Sequence, residues 1–167
     1  MTTAKENEQQ HLVDVLKDFD TAMLTTRTTT GELRGRPMAL ADIQPSGSVL
    51  FATSLSNETV HEIEKEPRVA LTVQGKAKFA SVSGFASITR DRHLIERHWK
   101  EGWKVWFPDG KDDPNICLIT FDAGDGEYWD NTGVRGLKFA LRAAKAYVSG
   151  ERMESRDKDA NAKVHLS

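Results

Sequence analysis

The spacing of apolar residues along this chain predicts mainly short strands. Alternation of apolar with small or polar residues is the period of a half-buried strand. Runs rich in threonine, valine and isoleucine have this period and are separated by turns that contain glycine or proline, a combination that favours antiparallel hairpins. The pattern predicts strands at 21–28, 34–43, 49–53, 68–73, 79–89, 116–121 and 127–130, with a turn at 122–126.

Other segments have helical spacing. Apolar residues recur every three to four positions between residues 12 and 19, which predicts an amphipathic helix packed on the sheet. Asn57 is suited to cap a short helix that ends before Pro67, because the residue before a proline avoids helical geometry. Asp91 is suited to cap a third helix, and residues 136–149 have the spacing of a fourth.

Short strands at regular intervals are typical of a barrel. We therefore expect a mainly β (α+β) fold, a barrel of about six antiparallel strands with flanking helices. Residues 8–149 are predicted to form one domain. Residues 1–7 are expected to be a flexible N-terminal tail. Residues 150–167, which are charged and poor in apolar side chains, are expected to be a disordered C-terminal tail.

Charge and composition exclude several classes of protein. The chain has 167 residues and a net charge of −2, so it lacks the basic excess of a nucleic-acid-binding protein. No apolar run approaches the ~18 residues that span a bilayer, and the polar N-terminus lacks the layout of a signal peptide. The single cysteine, Cys117, fits a reducing compartment. We expect a cytoplasmic protein with no nucleic-acid or membrane partner.

Arg36 is the candidate for binding chemistry, and two interpretations stay open from the residues alone. Its planar guanidinium suits a phosphate, Pro37 holds the backbone extended, and Thr53 and Ser54 on the neighbouring strand add hydroxyl groups. The strand pair would then hold a phosphate-bearing cofactor. The alternative is a surface arginine on an edge strand that Pro37 protects from further pairing.

Two further features also leave alternatives open. Gly84 lies within a long strand, where a glycine marks close approach of either a ligand or a facing strand. Three aromatic residues, Trp103, Trp106 and Phe107, precede a turn-rich loop. Such a group is typical of an interface, but it equally fits a lid over the barrel core.

The sequence contains no pattern of a self-sufficient catalytic site. Its five histidines are scattered, and His93 and His98 are five residues apart, so they do not share a helix face as a metal pair would. Glycine-rich nucleotide loops and the Gly-x-Ser-x-Gly elbow are both missing. An enzyme of this kind would take its chemistry from a cofactor.

The order of segments resembles the flavin-binding split-barrel superfamily, in particular the general stress proteins related to pyridoxamine 5′-phosphate oxidase. The Arg36-Pro37-Met38 strand carries the resemblance, as do VLFATS at 49–54 followed by VHEIEKEPRVALTV at 60–73. Further landmarks are SVSGFASITRD at 81–91, WFPDGKDDPN at 106–115 and EYWDN at 127–131.

The resemblance implies a split-barrel homodimer with FMN at the subunit interface. Arg36 would contact the FMN phosphate, Met38 and Ala39 would lie near the ring, and Thr53 and Ser54 would bond the phosphate or the ring edge. Residues of the strand at 81–84, together with Trp106 or Trp129, would close the pocket, from the second subunit in one arrangement. The cofactor-binding residues predicted in this way are Arg36, Pro37, Met38, Ala39, Thr53, Ser54, Asn57, Thr59, Ser83, Gly84, Trp106 and Trp129.

The chain departs from the family pattern in two places. Thr59 stands where the family commonly has a phosphate-binding lysine. That loss could weaken FMN binding by about 1–3 kcal/mol, unless Asn57 and the free amides of the helix N-terminus substitute. The C-terminus also lacks the basic segment that completes the substrate site of the true oxidase. Oxidation of pyridoxine phosphate is therefore not expected.

The resemblance leaves three functions open. The first is an FMN-dependent oxidoreductase that passes electrons from a reduced nicotinamide to a small acceptor. The second is a protein that binds or senses flavin without turnover. The third keeps the barrel but replaces FMN with deazaflavin F420 or haem. Haem has the weakest support of these, because no histidine lies in a motif that matches an axial ligand.

Overall fold

The hairpins predicted from the alternation pattern form one continuous antiparallel sheet in the computed structural model, which describes residues 4–150 and 161–166. Its strands are β1 Thr21–Arg27, β2 Leu33–Ile43, β3 Val49–Ser54, β4 Arg68–Gln74, β5 Lys78–Thr89, β6 Ile116–Asp130 and β7 Asn161–His165. The helices are α1 Ala4–Lys17, α2 Glu58–Lys65, α3 Arg92–His98 and α4 Gly133–Ser149, with 3₁₀ turns at Glu101–Val105 and Gly110–Asp112.

The sheet closes on itself because the third strand pairs at both edges. The strand order is β3-β2-β1-β4-β5-β6-β7, and β3 pairs in addition with β6 from Val49 opposite Phe121 to Ser54 opposite Ile116. This extra ladder makes a closed barrel of β1 to β6, and it confirms the predicted fold class. Closure removes the exposed strand edges that an open sheet would leave at β3.

Apolar side chains fill the barrel, and the first helix covers one of its openings. Inward-facing residues such as Leu24, Phe51 and Leu71 are at most 1% exposed. Leu12 and Leu16 of α1 belong to the same cluster, as the amphipathic pattern predicted. The barrel is thus a packed core, and a ligand of any size must bind outside it.

A second apolar cluster lies on the outside of the barrel wall. Leu50 and Leu118, from the paired strands β3 and β6, pack there with Ile95 of α3. Trp103 and Phe107 complete the cluster from the chain that follows α3. The turn-rich segment after α3 is therefore anchored beside β3, which positions the site described below.

The predicted turn at 122–126 is wrong, because β6 runs unbroken from Ile116 to Asp130. Its register against β5 shifts between Ser83 and Gly84, which leaves Gly124 without an opposite residue and makes a bulge there. A Cβ on Gly84 would lie 2.1 Å from the carbonyl oxygen of Asp122. Gly84 is therefore required by the facing strand, which decides between the two alternatives left open for it.

The ends of the chain also differ from the expectation. Helix α1 begins at Ala4, inside the segment expected to be a flexible tail. The expected disordered tail is wrong for residues 161–165, which form β7 and pair with β6 from Asn161 opposite Trp129 to His165 opposite Asp125. The rest of both predicted tails, residues 1–3, 151–160 and 167, lies outside the described residues. No helix within the described ranges is long and apolar enough to cross a bilayer.

Candidate functional site

A cavity of ≈ 380 Å³ opens between strands β2 and β3 and the aromatic segment that follows α3. Antiparallel pairing of β2 with β3 brings the middle of one strand beside the end of the other. Asn57, the capping residue of α2, follows β3 directly and adds a polar group. The lining residues are Pro37, Met38, Ala39, Ala52, Thr53, Ser54, Asn57, Trp103, Trp106 and Phe107.

The aromatic wall of this cavity has two buried members and one exposed member. Trp103 and Phe107 are 8% and 6% exposed and pack into the outer apolar cluster, as a lid would. Trp106 lines the same cavity but is 68% exposed. The cavity therefore has two fixed aromatic side chains and one that is open to solvent or to a partner.

Polar groups of β3 and the start of α2 form the opposite wall. Thr53 is 6% exposed, and its carbonyl oxygen accepts a hydrogen bond of 3.6 Å from the Cys117 thiol. Burial raises the pKa of Cys117 to about 11, so this thiol stays protonated at neutral pH. The Ser54 hydroxyl lies 3.0 Å from that of Ser56. These hydroxyls can bond a ligand, but none is a nucleophile activated by a base.

The Asn57 side chain caps α2, as the sequence predicted. Its Oδ1 accepts a hydrogen bond of 3.0 Å from the amide of Thr59. The Thr59 hydroxyl oxygen is itself buried and has no hydrogen-bond partner among the described residues. A buried hydroxyl without a partner costs about 1–3 kcal/mol, so this atom is a candidate for contact with a ligand or a water molecule.

The Arg36 guanidinium is held by a buried carboxylate. Its Nη1 and Nη2 donate hydrogen bonds of 2.7 and 2.9 Å to the two oxygens of Glu62 in α2, and Nη1 also lies 3.0 Å from Thr26 Oγ1. The Arg36 side chain is 20% exposed and that of Glu62 is 4% exposed. Arg36 is therefore not a free surface side chain, although its part of β2 pairs only with β1, since the ladder with β3 covers Leu40–Ile43.

The ion pair fixes the charge of Glu62. The hydrogen bonds from Arg36 lower the pKa of Glu62, burial opposes them, and the hydrogen bond from Thr26 lowers the pKa further. Glu62 is therefore ionised at neutral pH. Arg34 and Glu58 form a second, exposed pair at 3.1 Å, and Glu58 also lies 3.6 Å from Arg36. Both arginines of β2 thus pair with carboxylates of α2.

The structure brings only some of the predicted site residues into one place. Pro37, Met38, Ala39, Thr53, Ser54, Asn57 and Trp106 line the cavity. Arg36 and Thr59 do not line the cavity, but each is close in sequence to a lining residue. Arg36 precedes Pro37 in β2, and Thr59 follows Asn57 in the first turn of α2. Ser83 and Gly84 line a different groove of ≈ 370 Å³, and Trp129 lies in a third one of ≈ 450 Å³. Within one chain, these last three residues do not contact the cavity.

Sequence reasoning missed three lining residues, Ala52, Trp103 and Phe107. Ala52 lies within the VLFATS strand, where its small size leaves room for the cavity. The aromatic residues at 103, 106 and 107 have the i, i+3, i+4 spacing of one helical face. That spacing was the available signal that they act together.

Comparison with known proteins supports this assignment of the fold. The family described as pyridoxamine 5′-phosphate oxidase like matches residues 7–154. Protein bli-3 of Neurospora crassa is 33% identical over 110 residues, 59% of this chain and 53% of bli-3. General stress protein 26 of Bacillus subtilis is 25% identical over 72% of this chain and 87% of its own length. The chain thus spans about half of bli-3 and most of the Bacillus protein.

A solved structure shows the same architecture. The general stress FMN/FAD-binding protein of Xanthomonas citri superposes with a TM-score of 0.63 at 29% identity, covering 77% of this chain and 89% of the Xanthomonas chain. The match extends through most of the barrel, and the family match spans nearly the whole chain. The chain therefore belongs to the pyridoxamine 5′-phosphate oxidase-like family.

Proposed function

We propose that the cavity between β2, β3 and the aromatic segment binds FMN, and that the protein is a flavin-dependent oxidoreductase of the general stress type. One observation carries the proposal: seven of the twelve residues that the family resemblance assigns to the cofactor, on two strands and two separate segments, line one cavity. The similarity to a general stress protein of Bacillus subtilis and to an FMN/FAD-binding protein of Xanthomonas citri supports it.

The residues of the cavity fit the isoalloxazine ring and the ribityl chain of a flavin. A volume of ≈ 380 Å³ lies within the range of small-molecule pockets, about 300–1,000 Å³. Trp103, Trp106 and Phe107 offer flat apolar faces for a ring system. Thr53, Ser54 and Asn57 supply hydroxyl and amide groups for its polar edge and side chain.

The side chains of this cavity bind and orient a ligand, and they do not perform acid–base chemistry. A bound flavin supplies hydride and electron transfer by itself. Trp103 and Phe107 are buried and exclude water from one face. The β2 backbone from Pro37 to Ala39 and the hydroxyls of Thr53 and Ser54 fix the orientation on the other. Electrons would pass from a reduced nicotinamide to a small acceptor.

A second candidate function is flavin binding without turnover. The observation that favours it is the composition of the cavity wall, where no lining residue is an acid or a base that titrates near neutral pH. Oxidation of NADH or NADPH by the FMN-loaded protein distinguishes the two functions. Turnover well above that of free FMN supports the oxidoreductase, and a rate equal to that of free FMN supports the binding protein.

The proposed active form is a homodimer in which each chain completes the cavity of the other. Apolar side chains that are far more exposed than core residues lie on one side of the barrel: Leu33 is 70% exposed and Phe85 is 59% exposed. Both line the groove of ≈ 370 Å³ that also contains Ser83 and Gly84. A second chain packed on this face would cover the groove. Ser83 and Gly84, which lie outside the cavity of their own chain, would then be close to the ligand bound by the other chain.

A pair of variants tests whether the cavity is the flavin site. Trp106→Ala removes an aromatic side chain that lines the cavity, and Val105→Ala changes the adjacent residue, which is 78% exposed and is not among the lining residues. Titration of each variant with FMN, followed by flavin fluorescence, gives the dissociation constants. We expect Trp106→Ala to weaken binding about tenfold, near the upper value of ~1.5 kcal/mol for an aromatic stacking pair.

Val105→Ala should bind FMN as the wild type does. Equal affinity of the wild type and Trp106→Ala would place the flavin elsewhere on the protein and would overturn the assignment of this cavity.

A further inference from the structure

Among the described residues no charged side chain lines the cavity, and Arg36, the cation next to the lining residue Pro37, is already paired. Arg36 precedes Pro37, which lines the cavity, and its Nη2 lies 3.6 Å from the carboxylate of Glu58, the residue that follows Asn57. The guanidinium thus lies beside the start of α2, one residue along β2 from the cavity lining. Its fork, however, carries both oxygens of Glu62.

Glu62 is held in this position from more than one side. It is 3% exposed, lies on the inner face of α2, and accepts a hydrogen bond of 2.6 Å from the buried Thr26 hydroxyl. Moving it away from Arg36 would leave a buried carboxylate without its cation, which is costly. Arg34 pairs with Glu58 in the same way at the surface. Both arginines of β2 are therefore neutralised by carboxylates of α2.

We propose that Glu62 takes the place on Arg36 that a ligand phosphate would otherwise occupy, so that the cavity selects a flavin by its ring and discriminates little between FMN and riboflavin. This inference rests on the proposed flavin-binding function and names the ligand class more closely. An arginine with a free fork forms charge-assisted, bidentate bonds to phosphate. Such bonds would favour FMN over riboflavin by at least about tenfold.

The first test compares the two flavins on the wild-type protein. Fluorescence titration with riboflavin and with FMN, at the same pH and salt concentration, gives a ratio of dissociation constants. We expect the two constants to differ by less than about threefold, because no charged side chain among the described residues lines the cavity and Glu62 occupies the fork of Arg36. A preference for FMN of more than about threefold would overturn the inference while leaving the proposed function intact. If neither flavin binds, the proposed function fails and this inference fails with it.

The second test frees Arg36 by changing Glu62 to glutamine. Glu62→Gln keeps the size and one hydrogen-bond acceptor but removes the competing charge. We expect FMN affinity to rise about tenfold while riboflavin affinity stays unchanged, as expected for one charge-assisted contact. Glu64→Gln is the matched control, because it removes the same charge from the same helix at a side chain that is 50% exposed.

An equal response of both flavins to Glu62→Gln, or a gain of FMN affinity in Glu64→Gln as well, would contradict the specific role of Glu62. If Glu62→Gln does not fold, the ratio measured on the wild type still decides the question, because it needs no variant.

Discussion

A buried carboxylate, Glu62, holds the Arg36 guanidinium in place. Glu62 and Arg36 form a bidentate pair between α2 and β2, with Thr26 of β1 as a third partner. The pair joins three elements at one end of the barrel. It therefore has a structural role that is separate from any ligand, and that role can be measured in the free protein.

Arg36→Ala should lower the free energy of unfolding by about 3 kcal/mol, because it leaves the buried Glu62 charge without a cation. This value is the lower end of the range for breaking a buried ion pair, because the Arg36 side chain is 20% exposed. Arg34→Ala is the control: it breaks an exposed pair, which is worth at most about 1 kcal/mol. Urea denaturation at neutral pH measures both variants, and an equal loss would contradict a special role for the Arg36–Glu62 pair.

The same pair predicts a dependence on pH. Its hydrogen bonds hold the pKa of Glu62 below the ordinary value of 4.5, so the ionised form is favoured in the folded state. Because the pKa of Glu62 is lower in the folded than in the unfolded state, the ion pair stabilises the fold fully above pH 4.5. This stabilisation is lost as the pH falls through the folded-state pKa of Glu62. The stability difference between the wild type and Arg36→Ala should therefore shrink on acidification. A difference that stays constant down to acid unfolding would contradict this account.

The sequence pattern predicted most strands and helix caps, but it divided β6 into two strands and did not predict β7. The DAGDG run at 122–126 has the composition of a turn, yet it continues β6 because β5 pairs with both halves of that strand. A Cβ on Gly126 would lie 2.7 Å from Leu12 of α1, so this glycine serves packing and not a turn. Strand β7 has one buried apolar residue, Val164, which is too weak a pattern to predict from sequence.

Some residues of the candidate site could likewise be predicted from the sequence, and others could not. The strand residues that line the cavity follow from Arg36-Pro37-Met38 and VLFATS, because hairpin pairing of β2 with β3 is a local consequence of the sequence. The Glu62 partner of Arg36 could not be predicted, because it depends on how α2 packs against the barrel end. No pattern within α2 distinguishes its buried glutamate from its exposed ones.

Gly84→Ala tests the close approach of β5 and β6. The added Cβ would lie 2.1 Å from the Asp122 carbonyl oxygen, which is backbone and cannot rotate away. We expect a loss of about 3 kcal/mol or more in the free energy of unfolding, at or above the usual cost of overpacking. Gly102→Ala is the control, since nothing lies within 4 Å of its added Cβ. A Gly84→Ala protein as stable as this control would contradict the strand register.

The exposed apolar face of the barrel that contains Leu33 and Phe85 predicts that two chains associate. Phe85→Lys places a charge in the middle of that face and should convert a dimer into single chains of 18.7 kDa. Val148→Lys is the control, because Val148 is 86% exposed and lies in the last turn of α4. Light scattering at micromolar concentration measures the mass. A wild-type protein with the mass of one chain would contradict the dimer, as would a Phe85→Lys protein with the mass of two.

An absorption spectrum tests whether the cavity beside β2 and β3 holds a flavin. The purified protein is mixed with excess FMN, passed through a desalting column and scanned in the visible range. We predict that flavin bands remain with the protein, at one flavin for each chain. A colourless protein after this treatment would contradict flavin binding, and bands of a deazaflavin or a haem in the protein as purified would assign the cavity to another ligand.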